Sequence, residues 1–163
     1  MKAWRGFTLA EMMAVVVILA ILAAIAVPSY LDRIVKAQVE AALTLADVAK
    51  RGVAAYWSAT QDFPADNTAA ALPPADKIVN NFVSAVAVDH GVINLTFGNR
   101  ANKAIAGKVI SLRPAVVDDA PMVPITWVCG SAEAPDKMSI KGNNSTTLEA
   151  TFLPLECRAL KAG

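Results

Sequence analysis

The chain has 163 residues and a formal net charge of +1, which gives no indication of a nucleic-acid-binding protein. Hydrophobic residues make up 55% of the sequence and the mean hydropathy is +0.44, values that agree with a small domain tethered to a membrane. Without its apolar N-terminal segment about 130 residues remain, which is the size of one domain.

The first predicted element is an apolar helix that begins at Phe7. The stretch from Phe7 to Leu31 would extend roughly 37 Å as a helix, which is enough to cross the hydrocarbon core of a bilayer. Lys2 and Arg5 form a short basic leader before it, and the positive-inside rule keeps that end in the cytoplasm. Glu11 is the only charged residue in the stretch.

This single carboxylate argues against an ordinary signal peptide or a plain anchor. A cleaved signal peptide would place its cleavage site near Ala24–Ser29 and would leave Glu11 unexplained, because a carboxylate inside a membrane is costly and needs a partner. If a peptidase cut between Gly6 and Phe7 instead, the new ammonium of Phe7 would lie one helical turn before Glu11. Equivalent groups on a neighbouring helix could then pair with the carboxylate.

The segments GFTLAEMM and VVVILAILAAIAVPSY resemble the prepilin signature of type IV pilins. In that family a prepilin peptidase cuts after the glycine and methylates the new N-terminal phenylalanine. The resemblance therefore implies cleavage between Gly6 and Phe7, N-methylation of Phe7, and a filament-register role for Glu11. It divides the N-terminal part into a cleaved leader, residues 1–6, and a hydrophobic transmembrane or filament-core helix, residues 7–30.

The helix is predicted to continue past Pro28 to about Ser58 with a different character. Pro28 either kinks the helix or is tolerated in it, and the resemblance adds it to the assembly residues. Over residues 31–58 apolar residues recur at spacings of three and four, which predicts one buried stripe. The stripe consists of Leu31, Val35, Val39, Ala42, Ala46, Ala49, Val53 and Tyr56.

The rest of the globular part, residues 31–163, is predicted to be a loop followed by a sheet. Residues 59–81 carry proline pairs and Asx residues, and this loop serves either as a passive link or in binding. Four strands are expected over about 82–129, at 82–88, 92–97, 108–113 and 125–129, with Asp89-His90-Gly91 as a hairpin turn and prolines 114, 121 and 124 in the connections. We therefore predict an α+β pilin fold, a long N-terminal helix packed on a four-stranded antiparallel sheet.

The two cysteines, Cys129 and Cys157, predict a structural disulfide, because the globular part should lie outside the cytoplasm. Closing a loop of about 29 residues would contribute roughly 3.5 kcal/mol in the chain-entropy model. The flanking motifs WVCG and LPLECR, at 127–130 and 153–158, resemble the disulfide-bounded C-terminal region of type IVa pilins. With ANKAIAGKVISL at 101–112, the resemblance covers most of the chain.

The sequence shows no catalytic residues, no metal-ligand spacing and no cofactor motif, so we expect no enzyme. The remaining candidates have simpler structural interpretations. We expect His90 to be a solvated turn residue, and Asp118 and Asp119 to be a solvated loop pair. The N-x-S/T triplets at Asn94 and Asn144 match the glycosylation pattern, which arises easily by chance. Trp57 and Trp127 are expected to be core residues where the helix end and the fourth strand meet.

By resemblance, the subunit is held in the inner membrane with a periplasmic globular domain and is polymerised with other pilin subunits, minor pilins among them. The resemblance also implies an inner-membrane platform, through which assembly and retraction ATPases act on a retractable extracellular filament. Such a filament would serve adhesion, twitching motility or DNA uptake, with host surfaces or DNA as its ligands. The alternative is a minor pilin or a type II secretion pseudopilin. Major pseudopilins bind calcium through clustered acidic ligands, whereas here Glu133, Asp136, Glu149 and Glu156 are scattered.

Overall fold

The computed structural model of the protein describes residues 6–159, except for the side chains of residues 27–29. The charged leader residues Lys2 and Arg5 lie outside the described residues. Contacts divide the chain into two units, Met1–Ile34 and Val35–Gly163. Each unit is described separately below.

One long helix, α1, spans Leu9–Thr60. The predicted helix, residues 7–58, is confirmed with each end displaced by two residues. The strands are β1 Val83–Asp89, β2 Val92–Phe97, β3 Val109–Val116, β4 Thr126–Cys129 and β5 Ser139–Ile140. Two short 3-10 helices, Ala75–Lys77 and Leu155–Cys157, complete the described elements.

In the first unit, the apolar part of α1 is exposed along its whole described length. Large side chains from Leu9 to Ile25 are 46% exposed or more. Among the described residues, α1 is the one helix long and apolar enough to cross a membrane by length and composition. The helical assignment continues without interruption through Pro28, so the proline does not end the helix.

In the second unit, the apolar stripe of α1 packs against the sheet, as the spacing predicted. Its members from Val35 to Val53 are at most 2% exposed: Val35, Val39, Ala42, Ala46, Ala49 and Val53. They share one core with sheet residues such as Val86, Ile93 and Ile110. Leu31, the first residue of the predicted stripe, does not belong to this core, so that part of the prediction is wrong. It is 48% exposed and lies in the first unit.

The sheet is antiparallel with the strand order β1-β2-β3-β4, and β5 pairs with β3 outside this path. The predicted hairpin joins β1 to β2, with Asp89 opposite Val92. Both turn residues have positive φ, 47° at His90 and 83° at Gly91, which matches the two-residue turn whose twist suits a hairpin. A Cβ on Gly91 would lie 2.5 Å from the ring of Phe63, so glycine is required there.

The prediction that Pro114 lies in a connection is wrong, because β3 runs through it to Val116. β2 pairs with β3 as far as Leu112, and β5 takes over at Ala115. Pro114 lies where the partner strand changes, and its carbonyl accepts from the Lys141 N–H. The N–H that proline lacks is therefore not needed at this position. The two-residue β5 was too short to be visible as a periodic pattern.

The connection between α1 and β1 is packed on the outer edge of β1. Asn67, 8% exposed, accepts a hydrogen bond from the Val88 N–H and donates one to the Val86 carbonyl, at 2.6 and 3.0 Å. From the loop between β2 and β3, Asn99 also donates to the edge of β1, at the Val83 carbonyl, 2.8 Å away. Part of the connection between α1 and β1 therefore has a structural role, since Asn67 satisfies backbone groups on the strand edge.

Candidate assembly site

The start of α1 is organised by Thr8 and Glu11. The Thr8 N–H and hydroxyl both donate to Glu11 Oε2, at 2.8 and 2.9 Å, and the Glu11 N–H donates to Thr8 Oγ1 at 3.3 Å. This is a capping box, in which an N-cap hydroxyl and the glutamate three residues later satisfy each other's backbone groups. This box was not predicted from the sequence, although the T-x-x-E spacing is its signature.

The capping box uses only one of the two carboxylate oxygens of Glu11. Both bonds from Thr8 reach Oε2, and among the described residues no donor reaches Oε1 of Glu11. An ionised carboxylate can accept further hydrogen bonds at the second oxygen. Glu11 can therefore keep its capping bonds with Thr8 and still accept a hydrogen bond from another chain.

Gly6 and Phe7 precede the helix in an accessible segment. Phe7 is 80% exposed, and a Cβ added to Gly6 would meet nothing within 4 Å. No contact in the described chain thus requires glycine at this position. A requirement for Gly6 would have to come from an external partner.

The second feature of this site is the exposed apolar surface of the helix in the first unit. The exposed large side chains include Leu9, Met12, Met13, Val16 and Val17. A contiguous surface of this kind marks contact with a membrane or with other protein chains. The helix therefore combines one charged group near its start with an apolar surface that needs cover.

The disulfide joins Cys129 at the end of β4 to Cys157 in the second 3-10 helix, with the Cα atoms 4.7 Å apart. Both cysteines are buried, at 7% and 0% exposure, and belong to the core. Gly130 has φ +57°, and a Cβ there would lie 2.5 Å from the Cys157 carbonyl oxygen. The cross-link thus holds the C-terminal segment against the sheet.

Asp118 is exposed, as predicted for a solvated loop residue, but it also has specific partners. It accepts hydrogen bonds from Lys141 Nζ at 2.6 Å and from the Ser139 hydroxyl, so it ties the β3–β4 loop to β5. The bond from Lys141, then that from Ser139, lowers the pKa of the Asp118 carboxyl. Asp119 is exposed and has no ion-pair partner among the described residues. We call Asp118, Ser139 and Lys141 the loop clamp.

The loop clamp should make a pH-dependent contribution to stability. Because the pKa of Asp118 is lowered in the folded state, the contribution should be complete above the ordinary Asp pKa of about 3.9 and lost as pH falls through the lowered value. Asp118→Asn should lower the melting temperature slightly at pH 7, and by less at acid pH, where the wild-type carboxyl becomes protonated. Thermal unfolding checks this, with Asp119→Asn as the control. Equal differences at both pH values would contradict the clamp.

The other polar candidates lie apart from the helix start. His90 is exposed and its Nδ1 lies 2.7 Å from Asp89, which confirms a solvated turn residue. Asn94 Oδ1 accepts from the Ser111 hydroxyl at 2.6 Å, whereas Asn144 is exposed. Within residues 6–159 no three His, Cys, Asp or Glu residues are grouped to hold a metal ion.

The two tryptophans were predicted to be core residues, and Trp127 packs against the core. Trp57 stacks on Phe63, with ring centroids 4.5 Å apart. Trp127 also lines a cavity of about 260 Å³ that it shares with Leu43 and Lys50. The aromatic partner of Trp57 is therefore Phe63, in the loop after α1.

The N-terminal site and the globular unit each match a known sequence family. A family model described as prokaryotic N-terminal methylation motif matches residues 1–27, and one described as pilin (bacterial filament) matches residues 35–158. The chain belongs to the pilin family. The resemblance identified from the motifs is confirmed, and so is the predicted α+β pilin fold with its disulfide.

Relatives of this pilin extend over nearly the whole chain. It is 36% identical to the type IV major pilin protein PilE1 of Neisseria gonorrhoeae, across 94% of this chain and 87% of that protein. A fimbrial protein of Neisseria meningitidis is 33% identical across 98% and 97%. Fimbrial protein Q of Moraxella bovis is 35% identical across 97% and 99%. The function of this family is structural, because its members polymerise with other pilin subunits.

Proposed function

We propose that this chain is a major subunit of a type IV pilus. The observation that carries the proposal is the exposed apolar part of α1, which has no cover within the described chain. Lipid would cover it in the precursor, and equivalent helices would cover it in the filament. The names of the relatives support a major rather than a minor pilin.

The precursor would be held in the inner membrane, with residues 1–6 in the cytoplasm and the globular part, residues 31–163, in the periplasm. Cleavage between Gly6 and Phe7 would leave an N-methylated Phe7 and the core helix, residues 7–30. In the filament the ammonium of Phe7 would pair with Oε1 of Glu11 on an adjacent copy. The Pro28 region would be part of the packed helix core.

Assembly and retraction would depend on an inner-membrane platform and ATPases that act through it, with minor pilins as further partners. The pilus would then serve adhesion, twitching motility or DNA uptake, on host surfaces or DNA. The test is electron microscopy of cells with and without this chain. Surface filaments that disappear on deletion and return with the chain support the proposal, and filaments unaffected by deletion contradict it.

A pseudopilin is the second candidate, because it would share the N-terminal signature. The buried disulfide and the absence of a metal-binding acidic group within residues 6–159 favour the pilus subunit. Immunogold labelling separates the two, since a pilus subunit should label along extracellular filaments.

Leader removal should depend on Gly6. Gly6→Val should block cleavage and leave residues 1–6 attached, because the small residue lets the backbone approach a protease site beside the bulky Phe7. The substitution should not disturb the subunit itself, since a Cβ there meets nothing within 4 Å. Mass spectrometry of the protein checks this, with Ala3→Val as the control in the same leader. An intact wild-type leader, or cleavage after Ala26, would contradict the proposal.

A further inference from the structure

The loop between β3 and β4, residues 117–125, presents four consecutive exposed apolar residues. They are Pro121, Met122, Val123 and Pro124, which we call the apolar tip. Met122 is 94% exposed, more than any other large hydrophobic side chain among those described. A run of this length is unfavourable on a surface unless it has a function.

The apolar tip is held in place rather than left loose. Two turns close the loop, through bonds from the Ala120 N–H to the Val117 carbonyl and from the Val123 N–H to the Ala120 carbonyl. The loop clamp fixes its base at Asp118. Prolines on both sides of Met122 and Val123 restrict the backbone further. A pre-organised apolar side chain binds at a smaller entropic cost than a mobile one.

A complementary surface lies elsewhere on the same unit. The end of α1 and the following loop enclose a groove of about 400 Å³, which we call the helix–loop groove. Its lining includes Arg51, Ala55, Tyr56 and residues 69–72. Except for Arg51 the lining side chains carry no charge, and Tyr56 offers an aromatic ring, a favourable contact for a methionine sulfur.

The charges at the two surfaces also match. Asp119 lies two residues before the apolar tip in sequence, and Arg51 lines the groove. Both side chains are exposed, and neither has an ion-pair partner among the described residues. Opposite charges on facing surfaces fix the register of a contact and suppress wrong pairings.

The two surfaces lie on different parts of the globular unit. The loop that forms part of the groove is bonded to β1 through Asn67, and the apolar tip extends from the β3–β4 connection. In the strand order β1-β2-β3-β4 these lie toward opposite edges of the sheet. Two different surfaces on one subunit make a head-to-tail contact, which generates rings or open filaments.

From these observations we infer that the apolar tip of one copy docks in the helix–loop groove of a second copy. The inference rests on the proposed function, because it places the contact between globular units of one filament. Met122 fills the groove beside Tyr56, and Asp119 pairs with Arg51. The contact adds a second connection between subunits besides their apolar helices.

Cysteine cross-linking in filaments tests this contact. In cells with Met122→Cys and Ala55→Cys as the only copy, a short bismaleimide should convert sheared filaments into a ladder of multimers on a denaturing gel. Each single variant should give at least about tenfold less multimer, because its cysteine has no partner in reach. Filaments with both cysteines that stay monomeric overturn the inference. Equal dimer from Met122→Cys alone also overturns it, since the tips would then meet each other.

A charge exchange tests the same contact without added cysteines. Asp119→Arg should lower the temperature at which purified filaments dissociate, and Arg51→Asp in the same chain should restore it. Asp136→Arg, which reverses an exposed acidic residue outside the tip, is the control and should leave it unchanged. A double variant no better than Asp119→Arg contradicts the pairing. Absence of filaments from the wild-type chain would instead contradict the proposed function.

Discussion

Cells whose only copy of this chain carries Glu11→Ala are expected to insert and fold the subunit but to assemble few or no filaments. The substitution removes the carboxylate that would receive the ammonium of Phe7 from an adjacent subunit. That ammonium would be left without its partner in an apolar surrounding, which strongly disfavours capture by the filament. Filament counts by electron microscopy, together with membrane levels of the subunit, measure the effect. Filaments of normal number and length would contradict the register role of Glu11.

The capping box makes Glu11→Ala an ambiguous variant unless it is paired with two others. Glu11→Gln keeps a side chain that can bond the Thr8 N–H but removes the charge. Thr8→Ala removes the N-cap, at a cost of about 0.5–2 kcal/mol, and keeps the charge. If the charge matters, Glu11→Gln should assemble as poorly as Glu11→Ala, and Thr8→Ala should assemble nearly normally. The opposite order would assign the effect to the helix start.

The second large effect is expected from Cys157→Ser. Breaking the disulfide should lower the free energy of unfolding by about 2–5 kcal/mol. The region between Cys129 and Cys157 should loosen first, because it contains little regular structure besides β5 and a short 3-10 helix. Limited proteolysis should therefore cut within this region while α1 stays helical by circular dichroism.

The neighbouring variant Glu156→Gln is the control for the disulfide, since it changes an exposed residue of the same 3-10 helix and leaves both cysteines in place. It should resist protease as the wild type does. Unchanged protease resistance of Cys157→Ser would contradict a stabilising role for the bridge, and free thiols in protein sheared from cells would contradict its formation.

Much of the fold could be predicted from the sequence because two periodicities carry it. The three-and-four spacing from Val35 to Val53 predicted the buried face of α1, and alternation around Gly91 predicted the first hairpin. Both depend on neighbours along the chain. Pro114 was misassigned because its place in β3 depends on where β2 ends and β5 begins, which no local pattern records.

The candidate assembly site was predictable in its residues but not in its bonds. Glu11 stood out as the one charge in an apolar stretch, and the motif placed Gly6 and Phe7 beside it. The Thr8 cap has a short-range signature and could have been found. The loop clamp could not, because Lys141 reaches Asp118 from a distant part of the chain. The groove beside Tyr56 likewise exists only once the loop has folded back on α1.

The asparagine contacts along β1 have a consequence for how copies of this pilin can associate. A bare outer strand is a template for cross-β growth, in which copies add through backbone bonds and become trapped as amyloid-like aggregates. Asn67 and Asn99 occupy three of these backbone groups, at Val83, Val86 and Val88. These bonds leave less of the β1 backbone available to another copy, which disfavours strand addition at this edge.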